Sequence, residues 1–296
     1  MRQRVFPVLV CIALFVPAAG VYGMDWPTKE GRMSRNFGWN DRGKPVFGVC
    51  FEVEGPIRAA DAGEILFYND PDSTASRIPS PLGAWIAMDH GDGLVSLYSR
   101  LDPGHLPETL SLVEKDTDIA ASGKSGLSGN EGFYFSIFDR RERRWVNPAI
   151  IITPLPDTRL PNILSVTLRN GDTADRRSGA INPAQTRNIS QGRYTVSVEV
   201  ADTRENNGDL PLAPFRIICY LNGVEQGYLN FETFSVRDGI AMAYRNSLVP
   251  VRQVYAPYPG FEIGDIAFTR GQVTLEIIAL DSVQNSRNVI YRLQVD

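Results

Sequence analysis

Side chains able to do chemistry are scarce in this chain. Of its 296 residues two are histidine, His90 and His105, and three are cysteine, Cys11, Cys50 and Cys219. Neither histidine belongs to an H-x-x-x-H or H-x-H pair, the spacings that bring two imidazoles to one metal ion. His90 lies in the turn sequence Asp89-His90-Gly91-Asp92-Gly93, where a capping or packing role is expected. His105, in Asp102-Pro103-Gly104-His105, reads as an exposed loop residue. No spacing of cysteines with histidines builds a zinc site. Gly123-Lys124-Ser125-Gly126 is not a phosphate loop, because the upstream glycine of G-x-x-x-x-G-K-[ST] is missing. No Gly-x-Ser-x-Gly elbow fits a strand-to-helix turn, so a Ser/His/Asp triad would have to recruit a turn histidine. Glu52 and Glu54, two apart on a strand, share a face, as a glycosidase pair does; a solvated face is the expectation.

The elements that must position these residues are strands. Hydrophobic residues make up 43% and charged residues 22% of a chain long enough to bury two cores. The 26 glycines and 20 prolines, set among Val, Ile, Tyr and Phe runs, favour short strands and turns. Residues 84–88 and 94–98 predict a hairpin around Gly91 and Gly93. Residues 133–138 and 145–146 flank a charged run, 139–144, expected as a solvated hairpin tip. A proline-punctuated joint follows, from Thr153-Pro154-Leu155-Pro156 to Leu160-Pro161-Asn162. Beyond it, residues 193–200 are apolar at every second position, and Asn222-Gly223 predicts a two-residue hairpin turn. Further alternation over 273–280 and 289–295 points to an antiparallel, immunoglobulin-like β-sandwich.

Residues 1–23 read as a secretory leader. Arg2 and Arg4 open it, an apolar stretch over 5–18 follows, and Val21-Tyr22-Gly23 ends in a small-x-small pattern. The mature chain is expected to have no membrane span, and Cys11 lies inside the apolar stretch rather than at its end. The net charge of −4 speaks against nucleic acid as a partner. Cys50 and Cys219, each between apolar neighbours, are expected as buried free thiols.

Several blocks stand in an ordered series between Gly31 and Pro148. Ser34-Arg35-Asn36-Phe37-Gly38-Trp39 comes first, and Gly55-Pro56-Ile57-Arg58-Ala59-Ala60-Asp61-Ala62-Gly63 follows as a Gly-x-Pro-Val-x-Ala-x-x-x-Gly-like strand. His90-Gly91-Asp92-Gly93, Tyr98-Ser99-Arg100-Leu101 and Gly123-Lys124-Ser125-Gly126 succeed it, and residues 129–136 close the series. In this order they resemble the lysostaphin-type (LytM-like) zinc endopeptidases. That resemblance implies a β domain of the duplicated hybrid type, with zinc on two histidines and an aspartate and further histidines activating water. At each such position this chain departs from the family. Anchoring H-x-G-x-D on Gly48 places Val46 at the histidine and Cys50 at the aspartate. Arg100 takes the histidine of Y-x-H-L, while Gly132 and Tyr134 take the two of G-x-H-L-H-F-E, between Phe133, Phe135 and Ser136. Valine and glycine offer no ligand atom, arginine repels a cation, and one cysteine does not make a site.

The expectation is therefore an all-β chain with a leader over 1–23, a degenerate LytM-like domain over 24–154, a proline-rich linker over 155–163 and an immunoglobulin-like sandwich over 164–296. Zinc, the family's cofactor, is expected to be absent. The expected role is non-catalytic: binding an envelope protein or a peptidoglycan stem peptide, with regulation of cell-wall hydrolysis as its use, in the periplasm or cell envelope of a bacterium. The groove for it would be lined by Asn36, Phe37, Val46, Cys50, Arg100, Gly132, Tyr134 and Ser136. Two alternatives stand beside this reading: an active zinc endopeptidase with unconventional ligands, and a structural envelope protein.

Overall fold

A computed structural model of the chain describes residues 23–73, 79–107, 109, 111–126, 132–170, 180–257 and 259–296. All but the last residue of the expected leader, and residues 129–131 of the last sequence block, lie outside them. The described residues form strands joined by turns and short 3-10 segments, so the chain is all-β. None of their helices is long and apolar enough to cross a membrane.

The first half contains β1 (Arg32–Arg35), β2 (Asn40–Asp41), β3 (Lys44–Pro45), β4 (Val49–Glu52), β5 (Pro56–Arg58) and β6 (Gly63–Asn69). It continues with β7 (Ala84–Asp89), β8 (Leu94–Leu101), β9 (Leu112–Val113), β10 (Asp118–Ala121), β11 (Phe133–Asp139) and β12 (Arg144–Val146). β11 is the organising strand. It pairs antiparallel with β8, with β4 at its start and with β12 at its end. Its pleat buries Phe133, Phe135 and Ile137 on one face with Tyr98, Ile86, Ile65 and Phe51, and turns Tyr134 to the other. The charged run at 139–144 is the expected hairpin tip, and Arg141 there pairs with Asp92 at 3.2 Å.

The second half contains β13 (Asn162–Asn170), β14 (Ala180–Ile181), β15 (Asn188–Ile189), β16 (Gly192–Ala201), β17 (Arg216–Leu221) and β18 (Val224–Arg237). It ends with β19 (Ile240–Arg245), β20 (Ser247–Pro250), β21 (Gly260–Phe268), β22 (Gly271–Leu280) and β23 (Ser286–Val295). One sheet, β14-β13-β16-β21, packs against another in which β15, β23, β22, β17 and β18 are neighbours. The alternating residues meet between them: Val196, Val198 and Val200 from β16, Ile217 and Cys219 from β17, and Leu275, Ile277 and Ala279 from β22. Asn222 and Gly223 turn from β17 to β18 with φ of 53° and 78°, the two positive values a tight hairpin needs. Cys50 and Cys219 are both buried thiols outside any disulfide.

The halves share a sheet. β12 pairs with β18 through Arg144↔Ser235, Trp145↔Phe234 and Val146↔Thr233, so one hydrogen-bonded path runs from β9 to β15. Successive residues of β12 serve opposite cores, Val146 the N-terminal one and Trp145 the C-terminal one. Phe37 is buried in the C-terminal core, its ring stacked on Phe234 at 4.8 Å, and Phe47 packs on Trp145 and Phe234. Asn36 donates to the carbonyl of Ala213 and accepts from its amide, both at 2.8 Å. The stretch 155–163 is not a free spacer. β13 begins inside it at Asn162, Arg204 Nη2 donates to Leu155 O (2.5 Å), Asn285 Nδ2 to Asp157 O (3.1 Å) and Arg287 Nε to Pro161 O (3.0 Å).

Candidate functional site

The face of the N-terminal sheet opposite its core holds the residues singled out by position. Cross-strand register sets Cys50 beside Tyr134, Tyr134 beside Ser99, and Ser99 beside Trp85. One step along, Phe67 on β6, Ala87 on β7 and Leu97 on β8 continue the same face. Phe67 and Trp85 are in ring contact at 5.1 Å, and Phe67 stays 53% exposed. This face is therefore aromatic and open at its β6 end. Towards β4 it closes.

Arg100 reaches that closed end through a bulge. Ala84 pairs with Leu101 and Trp85 with Ser99, leaving Arg100 as the extra residue, with φ of 64°. Its amide donates to Leu82 O and its carbonyl accepts from Gly123 N, both at 2.9 Å, which fixes the backbone from two sides. Ser125 adds a clamp: its hydroxyl donates to Leu101 O (2.7 Å) and accepts from Ala84 N (2.9 Å). This is what the Gly-Lys-Ser-Gly motif does here. So held, the Arg100 guanidinium lies 5.4 Å from the centre of the Tyr134 ring, and its Nη1 lies 3.6 Å from Cys50 Sγ.

Tyr134 fills the floor between Cys50 and Ser136. A methyl on Gly48 would come 2.9 Å from the phenol carbon and 2.8 Å from Ser136 Cβ, so only a glycine lets β4 approach this closely. Burial raises the Tyr134 hydroxyl well above its usual pKa, with Cys50 adding to the rise and Arg100 opposing it. Ser99 and Ser136 are fully buried; the Ser136 hydroxyl neighbours the Tyr134 phenol and also opposes the rise, whereas the Ser99 hydroxyl lacks a hydrogen-bond partner among the described residues. Gly132 precedes β11 at φ 71°, where a Cβ would lie 2.2 Å from Phe51 O. No side chain can occupy that position without moving β4.

Of the predicted site residues, the structure brings together Cys50, Arg100, Tyr134 and Ser136, with Gly132 at the margin. Val46 is half-buried, and its backbone closes the β2–β3 hairpin by bonding to Gly38 and Trp39. Asn36 and Phe37 lie away from the Tyr134 face and bind the two halves together: Phe37 packs into the C-terminal core, and Asn36 holds Ala213 beside a small cavity that it helps to line. Ser99, Trp85 and Phe67 were missed. Strand alternation could have supplied them, since they share the Tyr134 face. His90 bonds to Ala62 O (2.9 Å) and Ser96 Oγ (2.6 Å), and His105 to Asp102 (2.7 Å), as turn and loop residues. Zinc does not fit this donor set: among the described residues Cys50 is its one Cys, His, Asp or Glu side chain, and the Arg100 guanidinium lies against the sulfur. Among the described residues, neither Cys50 nor either histidine belongs to a converging group of three ligating side chains.

A protein-family model matches residues 160–296, the second half of the chain. No curated protein matches it. Among solved structures the chain is similar to the antimicrobial peptidase lysostaphin from Staphylococcus simulans, at 14% identity over 91% of this chain and 98% of that one, TM-score 0.35. It is also similar to the catalytic domain of the prophage-encoded M23 protein EnpA from Enterococcus faecalis, at 15% identity over 40% and 87%, TM-score 0.33. A third likeness is to a chain of the SpoIIQ-SpoIIIAH pore-forming complex, at 16% identity over 44% and 91%, TM-score 0.34.

Proposed function

We propose that the chain is a non-catalytic LytM-like protein of the bacterial envelope that binds an extended peptide on the open aromatic face of its N-terminal sheet. The observation that carries the reading is the place of the Arg100 guanidinium, 3.6 Å from the Cys50 sulfur and over the Tyr134 ring. A permanent cation stands where the sequence resemblance puts a histidine, and it lies against the thiol that takes the place of the family's ligating aspartate. At an effective dielectric of about 20 it repels each further unit of positive charge about 4 Å away by roughly 4 kcal/mol.

Binding is what such a face does well. Trp85 and Phe67 give an apolar aromatic surface at the open end of the sheet, suited to an extended peptide. A peptidoglycan stem peptide and an extended segment of an envelope protein both fit that description. For the second half, β13-β16-β21 opposite β23-β22-β17-β18 supports an immunoglobulin-like accessory unit. Export by the leader and a role in regulating cell-wall hydrolysis complete the proposal.

The test uses the purified full chain. It is assayed for zinc, for cleavage of peptidoglycan, and for stem-peptide binding by tryptophan fluorescence. The expected result is sub-stoichiometric zinc, no cleavage, and binding weakened about tenfold by Trp85→Ala, a loss of about 1.4 kcal/mol. Stoichiometric zinc together with cleavage refutes the reading. Capture of an envelope protein with the same Trp85 dependence, and no stem-peptide binding, assigns the face to a protein partner.

A further inference from the structure

In the second half, β17, β18 and β19 lie side by side, and the face they turn away from the C-terminal core gathers aromatic and polar side chains. Cross-strand register sets Arg216 beside Asn230 and Asn230 beside Tyr244, while Leu229 and Phe231, on either side of Asn230, turn into the core. Tyr228 joins them on the outer face. The Arg216 guanidinium stands 5.2 Å from the centre of its ring, Tyr244 meets it edge-on at 6.1 Å, and Asn230 Nδ2 donates to its hydroxyl at 3.2 Å. Glu232 completes the cluster by accepting from Arg216 Nη2 at 3.0 Å.

Polar groups on this face are short of partners. Asn230 is 8% exposed, yet its Oδ1 receives no hydrogen bond among the described residues, and nothing there accepts from Nε of the neighbouring Arg216. Farther along β18, Ser235 Oγ and the Nε of its cross-strand neighbour Arg144 are in the same condition. Leaving a buried polar atom unpaired costs more than pairing it returns, so four on one face call for a reason. An anion does not supply it. Arg216 is already bonded to Glu232, and Arg144 Nε lies 3.6 Å from Asp139 Oδ2, so both guanidiniums have their counter-charge. What the face lacks is a neutral group that both donates and accepts. Beside the unpaired atoms it offers an aromatic surface, since Tyr244 is 44% exposed.

We propose that this face binds a neutral sugar chain. A sugar ring has an apolar C–H face, which suits Tyr244, and rim hydroxyls that donate to Asn230 Oδ1 and accept from Arg216 Nε. The surrounding side chains shield these two atoms from bulk water, so a bound sugar parts them. Arg216, long and a quarter exposed, is the side chain that turns to admit it. The site belongs to the second half and does not rest on the role of the aromatic face of β6 and β7.

The full chain, labelled with nitrogen-15, is titrated with chitohexaose and separately with cellohexaose. At least one of the two is expected to bind saturably and to shift the Nε–H resonance of Arg216, which is assigned by its loss in Arg216→Lys. Tyr244→Ala, a change at an exposed position, weakens that binding about tenfold, and Asn230→Ala does so by a similar factor. Should Asn230→Ala fail to fold, Tyr244→Ala and the Arg216 resonance carry the test. The proposal is overturned if neither hexasaccharide binds, if binding leaves the Arg216 resonance in place, or if Tyr244→Ala binds as tightly as the parent chain. A stem peptide that shifts the same resonance where neither sugar binds also overturns it, and gives the face to peptide instead.

Discussion

Replacing Phe37 with alanine tests how the two halves hold each other. The ring lies before the proline joint in sequence, yet is buried in the C-terminal core at 1% exposure and stacked on Phe234 at 4.8 Å. Truncating a buried phenylalanine costs about 3–5 kcal/mol, of which stacking accounts for roughly 1 kcal/mol. Against a typical total of about 5–15 kcal/mol the change is large. Urea unfolding of Phe37→Ala, followed by tryptophan fluorescence and by far-ultraviolet circular dichroism, is expected to shift both signals together by about 4 kcal/mol, because the shared sheet gives the halves one transition. Adding Phe234→Ala in a double-mutant cycle should return about 1 kcal/mol of coupling. A loss under about 1 kcal/mol, or a signal from the N-terminal tryptophans whose midpoint stays in place, would refute this account of the joint.

Three further outcomes follow from the same geometry. Gly132→His, the family-like substitution, forces a side chain into φ 71° with Phe51 O at 2.2 Å, and should cost about 2–4 kcal/mol in chemical denaturation while restoring no zinc binding by metal analysis. Ser125→Ala removes the clamp between Leu101 O and Ala84 N and should cost about 1–3 kcal/mol by the same measurement. Burial, with Asp281 and Asp157 beside it, pushes the Asp202 carboxyl up to about 8, and Asp281 is raised as well. Each folded pKa then lies above its unfolded value, so this contribution to stability is full below about pH 4 and is lost as pH rises through about 8. The melting temperature should climb as pH falls from about 8.5 to about 5; a flat profile would contradict this.

What the sequence made legible was local. The Asn222-Gly223 hairpin, the charged tip at 139–144 and the two buried thiols outside any disulfide all follow from neighbours along the chain, and each has the expected form. Tyr134 beside Cys50 was reachable because block order and strand alternation together fix a face. Asn36 and Phe37 were not, since their partners lie far away in the chain, at Ala213 and Phe234, and no periodicity records which core a strand will enter. The bulge that aims Arg100 depends on loop contacts from Leu82 and Gly123. The carboxylates at 157, 202 and 281 lie in unrelated turns, and only closure of the sandwich brings them within reach of one another.

Because β12 is hydrogen-bonded to β11 on one side and to β18 on the other, neither half is a cassette that can be lifted out. Severing the polypeptide near Pro154 would strip a neighbour from β12 and from β18 and bare Trp145, Phe234 and Phe37 to water, an edge ready to recruit another chain. Fragments made that way would report on their own stickiness. Swapping the second half for a foreign sandwich would succeed only if the replacement brought its own match for Trp145 and Phe37.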